Sequence, residues 1–113
     1  MRKIIVQIFG KKNCSDTRKA ERFFKERGIK YQFINILEKS PSKREVENFL
    51  KIYSEEDLID VNGKEYTKRN LQYIVYEPLK LLEETPILYR TPIIRKDNKV
   101  FIGSDIEELK KFI

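Results

Sequence analysis

Thr91–Ile113 reads TPIIRKDNKVFIGSDIEELKKFI and gives the clearest pattern in the chain. Thr91–Arg95 (TPIIR) and Val100–Ile102 (VFI) are short apolar, β-branched runs, the composition of strands. Lys96–Lys99 lies between them and contains Asp97 and Asn98, so a tight antiparallel hairpin is expected. Gly103 follows the second strand. Ser104 and Glu107 have the spacing of a capping box, and Ile106, Leu109 and Ile113 share one face of the helix that would follow.

The other end reads as a complementary half. Lys3–Phe9 (KIIVQIF) is apolar on both faces apart from Gln7, as a buried central strand would be. Gly10-Lys11-Lys12-Asn13 is expected to turn, and Ser15 to cap a helix with Ala20, Phe23 and Phe24 on one stripe. Gly28 is its C-terminal stop. Tyr31–Ile36 (YQFINI) alternates and is β-rich, so strand, helix and strand form a crossover whose strands should be parallel.

Between the halves the pattern is helical. Ser42 and Glu45 form a capping box ahead of a stripe at Val46, Phe49, Leu50 and Tyr53. Ser54–Asp57 starts a further short helical piece. Asn62-Gly63 is read as a loop between helices, because its flanks do not alternate as hairpin strands would. Lys68–Glu84 reads as two short helices separated near Pro78. Tyr53, Tyr66, Tyr73, Tyr76 and Tyr89 are read mainly as core packing with a wet hydroxyl. The order βαβ, helices, ββα is α/β with mixed strand pairing. It is the order of a thioredoxin-like fold with a helical insertion between the two halves. The expectation is a single domain over 1–113, with the insertion at about 40–85.

Composition narrows the chemistry. The chain has 113 residues, 24 Lys plus Arg against 18 Asp plus Glu, one Cys and no His. One thiol excludes an internal disulfide and a CxxC pair. Without His, a structural zinc site would need four thiolates, so no metal is expected. Ser-His-Asp and Cys-His catalysis are excluded by inventory. No apolar run approaches the roughly 18 residues of a membrane span. The start MRKIIVQIFG is too short and too soon broken for a signal peptide, so a cytoplasmic protein is expected; a monomer is expected as well. The net charge of +6 is spread over Lys11-Lys12, Arg18-Lys19, Lys43-Arg44, Lys68-Arg69 and Lys110-Lys111. These read as solvated helix faces balanced by Glu rather than as a nucleic-acid footprint.

Cys14 falls where the first helix begins, where unpaired N–H groups and a partial positive charge favour a thiolate. Lys11, Lys12 and Arg18 are expected to add positive potential, with Asp16 opposing them. A lone Cys is often a small buried apolar residue. The polar neighbours Lys12, Asn13, Ser15 and Asp16 argue against that here. Thr91-Pro92 opens the penultimate strand. On frequency alone its bond is expected trans, since cis is about 5–6% of X–Pro bonds in folded proteins. The thioredoxin-like assignment implies cis instead, with the strand starting beside the thiol.

The stretches IVQIFGKKNCSDTRKAERFFKERGIKYQFINI and LYRTPIIRKDNKVFIGSDIEELKKFI resemble the arsenate reductase ArsC/Spx family, a thioredoxin-fold, glutaredoxin-related group. The resemblance implies that Cys14 is a catalytic nucleophile. Ser15, Thr17, Arg18, Arg90, Thr91 and Pro92 would line the substrate or anion site, and Lys11 and Lys12 would supply supporting charge. Redox-switch members carry a second Cys where this chain has Thr17, so CSDT resembles the monothiol members, which use an external thiol. Three arginines bind the oxyanion in arsenate reductases. Here Thr91 takes the place of one, with Arg90 a residue earlier as in Spx-like members. The others match the region around Asn62-Gly63 and about Ile102. The implied activity is an oxidoreductase with no bound cofactor, acting on an arsenate-like oxyanion or on a disulfide or glutathione adduct. Glutathione, another small-molecule thiol or glutaredoxin would be the co-substrate. The alternative it implies is a non-catalytic, Spx-like transcriptional regulator that binds RNA polymerase.

Overall fold

The computed structural model describes residues 5–113. In chain order the elements are β1 (Val6–Gly10), α1 (Ser15–Glu26), β2 (Tyr31–Asn35), α2 (Lys43–Phe49), α3 (Lys64–Lys68), α4 (Pro78–Glu84), β3 (Ile93–Lys96), β4 (Lys99–Ile102) and α5 (Ile106–Leu109). Short 3-10 turns lie at Glu56–Leu58, Leu71–Tyr73, Pro86–Leu88 and Lys110–Phe112. The chain divides into two compact units. One contains the residues up to Lys39 together with Thr91–Ile113, and the other is Ser40–Arg90.

The first unit holds a four-stranded sheet in the order β2-β1-β3-β4. β1 pairs with β2 in parallel, Ile8 opposite Phe33. On its other side β1 pairs with β3 antiparallel, Ile8 opposite Ile94. β3 and β4 form the hairpin, with Lys96 opposite Lys99 and Asp97 in the left-handed region (φ 58°) that suits a tight hairpin turn. This β-α-β, β-β-α arrangement around a mixed sheet is the thioredoxin-like fold. Its core face joins Val6 and Ile8 of β1, Ala20, Phe23 and Phe24 of α1, Ile94 of β3, and Leu109 and Phe112 from the C-terminal end. Ala20, Phe23 and Phe24 recur at helical spacing, so one stripe of α1 is dry. Burying a side chain the size of Phe24 contributes on the order of 2–3 kcal/mol. Gly28 lies just past the end of α1, and its φ of 66° lets its N–H reach the Lys25 carbonyl oxygen at 3.1 Å.

Several local expectations are corrected. The strand expected over Lys3–Phe9 runs from Val6 to Gly10; Lys3 and Ile4 lie outside the described residues. β2 stops at Asn35, one residue early. Ser15 is the first residue of α1, and the cap position belongs to Cys14. Ser104 does not cap α5: Asp105 does, its Oδ1 accepting the Glu107 N–H at 2.9 Å. Ser104 is turned inward to another partner, described below. Ile113 is exposed, and Phe112 is the buried residue at that end, because the last turn tightens to 3-10 geometry and rotates the face.

The second unit is built as the sequence indicates at its start. Ser42 and Glu45 satisfy each other's backbone N–H groups, at 3.2 and 2.8 Å, and open α2. Ser54 and Asp57 do the same around the 3-10 turn at Glu56–Leu58. Asn62-Gly63 forms a turn, and Gly63 precedes α3. Pro78 begins α4, where its missing N–H costs nothing. Phe49, Leu58, Ile59, Leu82, Leu88 and Tyr89 are buried. Tyr73, by contrast, is 82% exposed, so it is not core. Tyr66 and Tyr76 pair through their hydroxyls at 3.0 Å.

Candidate functional site

Cys14 sits at the N-cap of a three-turn helix because two local constraints meet there. Its N–H closes the preceding turn onto the Lys11 carbonyl oxygen at 3.1 Å, and its own carbonyl accepts the first helical bond, from Arg18 N–H at 3.1 Å. Its backbone is extended, and its side chain makes no capping bond to the helix. The thiol is half-buried and directed to Thr91.

Thr91 holds the sulfur from two sides. Its hydroxyl donates to Cys14 Sγ at 3.4 Å, and its carbonyl oxygen lies 3.9 Å away as acceptor for the S–H. Ionisation removes the weak S–H contact and strengthens the O–H···S contact, because a donor binds a charged acceptor better. The Thr91–Pro92 bond is cis, Pro92 is buried, and its carbonyl oxygen accepts the Gly103 N–H at 2.9 Å.

Thr17 lies beneath the thiol, fully buried, against Gly10. A Cβ at Gly10 would overlap Thr17 Cγ2 and stand 2.8 Å from its Oγ1, so the close strand-to-helix approach requires glycine. Thr17 Oγ1 satisfies no hydrogen-bond geometry in the protein. It nevertheless stands close enough to the sulfur to favour the thiolate. Partial burial pushes the Cys14 thiol up; the hydroxyls of Thr17 and Thr91 and the N–H groups of Thr17 and Asp16 outweigh it and bring the thiol below its ordinary value.

The sequence expected the N–H groups of the helix start to favour the thiolate, with Lys11, Lys12 and Arg18 adding positive potential; N–H groups of the first turn do act, and the three cations are not among the groups that lower the thiol. Lys12 and Arg18 are exposed and Lys11 is half-buried. A short-range hydroxyl or N–H bond in a half-dry site outweighs a solvated cation, which water screens. Asp16 differs in the same way: its N–H helps the thiolate, while its carboxylate accepts the Ser104 hydroxyl at 3.0 Å. Ser15 is exposed in the first turn of α1. Arg90 is the last residue of the second unit. Its side chain is exposed, its N–H donates to the Leu58 carbonyl oxygen at 2.8 Å, and its charge contributes to the lowered pKa of Asp57 after the two Ser54 hydrogen bonds.

Gly10 and Ser104 are the residues that reading the sequence did not connect with the thiol. Ser104 lies 88 residues from its partner, and a plausible local role as a cap concealed the distant one. Among the described residues no group of three or more His, Cys, Asp or Glu could hold a metal, and no helix is long and apolar enough to cross a membrane.

The ArsC family model matches residues 9–112. A curated relative, global transcriptional regulator Spx 2 of Oceanobacillus iheyensis, is 29% identical over 96% of this chain and 83% of its own length. The solved arsenate reductase from Vibrio cholerae superposes with a TM-score of 0.78 at 23% identity, covering 99% of this chain and 100% of that one. Glutaredoxin grx-1 from Archaeoglobus fulgidus is more distant, with a TM-score of 0.50 at 19% identity over 96% of this chain and 85% of that one.

Proposed function

The chain belongs to the ArsC family, and from that premise we propose a monothiol, glutaredoxin-type reductase with Cys14 as its nucleophile. The observation that carries this reading is the Cys14 sulfur itself: half-buried at the start of α1, its pKa lowered by two hydroxyls and two N–H groups. This arrangement activates a thiol without a histidine base, which the chain lacks.

The preferred substrate class is a disulfide or glutathione adduct. Cys14 thiolate attacks the glutathione sulfur of R–S–SG, forming Cys14–S–SG and expelling RS⁻, which takes a proton from water. A second glutathione thiolate then attacks the adduct, forming oxidised glutathione and restoring the Cys14 thiolate. The sum is R–SSG plus glutathione giving R–SH plus oxidised glutathione, so the external thiol supplies both electrons. Thr91 and Thr17 hydroxyls stabilise the thiolate as it leaves in the second step. Ser15 and Arg18 are candidates to hold the carboxylates of the adduct, with Lys11 and Lys12 contributing general positive charge.

An arsenate-like oxyanion is the less favoured substrate. Ile102, at one position where the family resemblance would put an oxyanion-binding arginine, is buried in β4. The Asn62-Gly63 region supplies no arginine at the second. The protein is proposed to work as a monomer in the reducing cytoplasm.

A second reading rests on the relatives named as transcriptional regulators, which align over nearly the whole chain. In it the chain binds RNA polymerase and Cys14 is not turned over. One pair of experiments separates the two. Purified protein and Cys14→Ser are assayed for glutathione-dependent reduction of a glutathione mixed disulfide and of arsenate, and both proteins are used in a polymerase pull-down. The reductase reading expects turnover that Cys14→Ser abolishes. Absence of turnover with any of these substrates, together with polymerase capture by both proteins, would establish the second.

A further inference from the structure

Asp16 occupies the first turn of α1, two residues from Cys14. A free carboxylate there opposes a thiolate at short range. The structure gives this carboxylate a specific distant partner. Ser104, buried just ahead of α5, donates its hydroxyl to Asp16 Oδ1 at 3.0 Å. The Asp16 N–H is among the groups that bring the Cys14 thiol below its ordinary value.

We propose that Ser104 is a positioning residue for Cys14: it anchors the Asp16 carboxylate on the α5 side and so keeps it from opposing the thiolate. The inference deepens the reading of Cys14 as an activated thiol. Three features support it. Ser104 is relieved of any capping duty by Asp105, so its hydroxyl is free for Asp16. Ser104 is itself buried while Asp16 is exposed, so the packing around Ser104 fixes the hydroxyl to which the Asp16 carboxylate is tied. An acidic residue is favoured by the helix dipole as long as its carboxylate stays near the N-terminal turn, and Asp16, tied to Ser104, belongs to that turn. Holding it toward α5 therefore retains that benefit without the repulsion. Along the chain, the charged residues beside Cys14 are Lys11 and Lys12 on the loop and Asp16 and Arg18 on α1, and those beside Ser104 are Asp105, its carboxylate occupied by Glu107 N–H, and Glu107 and Glu108.

The single cysteine makes the test direct, because alkylation reports one thiol. Iodoacetamide rates across pH 5–10 give its apparent pKa in the unaltered protein, Ser104→Ala, Asp16→Asn and the double variant. Ser104→Ala is expected to raise the apparent pKa by about half a unit, the scale of one charge at a helix terminus. In the Asp16→Asn background the same substitution is expected to leave it unchanged, since no carboxylate remains to be released. An equal rise in both backgrounds would reduce Ser104 to a packing role, and no rise in either would overturn the proposal. Ser104→Thr, which keeps the hydroxyl, is expected to retain the low value. The reductase reading is judged separately by turnover, so a protein inactive on every substrate could still show the coupling between Ser104 and Asp16.

Discussion

The Thr91 hydroxyl lies 3.4 Å from the Cys14 sulfur across 77 residues of sequence, and the Thr91 carbonyl oxygen faces the same atom at 3.9 Å. One residue therefore offers the sulfur a donor and an acceptor, and only the donor gains strength on ionisation. Thr91→Val removes the donor and keeps the shape. It is expected to raise the Cys14 pKa by about one unit, the scale of a hydrogen bond to a charged group. Thr91→Ser is expected to stay near the original value. Alkylation rates against pH check both.

The lowered thiol ties stability to pH, and its sign follows from the direction of the shift. The group is acidic and its folded value lies below its unfolded one. Its contribution is complete above the unfolded thiol value and disappears as pH falls through the folded value. The difference in Tm between the unaltered protein and Cys14→Ser, under reducing conditions, is expected to move in favour of the unaltered protein from neutral to alkaline pH. A difference that is flat or reversed across that interval would contradict the lowered value.

Gly10 is fixed by Thr17. Gly10→Ala is expected to destabilise the protein by about 1–3 kcal/mol, the usual range for overpacking. The closest atom to the added Cβ is Thr17 Cγ2. Thr17→Ser, which deletes that methyl and keeps the hydroxyl, is expected to recover part of the loss in the Gly10→Ala background. Urea denaturation of the single and double variants measures the coupling.

Two caps distinguish neighbouring serines and an aspartate. Ser42→Ala breaks a reciprocal capping box, and Asp105→Ala removes the cap of α5; each is expected to cost about 1 kcal/mol. Equilibrium unfolding gives both values. Amide exchange should report the Asp105→Ala loss at the Glu107 N–H. Ser104→Ala is expected to leave protection of that amide intact.

Regularities confined to a few residues were legible in the sequence. Ala20, Phe23 and Phe24 marked the dry stripe of α1, Gly28 its end, Asp97-Asn98 the hairpin, and Ser42 with Glu45 the start of α2. Each follows from helical period, strand alternation or a cap spacing, which the chain carries locally. Those elements in that order limit the sheet to few topologies, and they place Cys14 where a helix starts. The boundaries of β1 and β2 were less legible because pairing partners decide where a strand stops.

By itself, then, the sequence determined the element order, the thioredoxin-like fold and the presence of one thiol at the head of a helix in a chain without histidine. The tertiary structure decided what surrounds that thiol. Thr91 and Ser104 reach the first turn of α1 only when the β3–β4–α5 segment packs beside it. Thr17 becomes buried only against Gly10. The local charges Lys11, Lys12 and Arg18 were visible in the sequence but are absent from the causes of the thiol's shift, while the long-range hydroxyl of Thr91 is among them. The physical reason is that hydrogen bonds act over about 3 Å in a half-dry site, and sequence spacing carries no record of which distant groups will be brought that close.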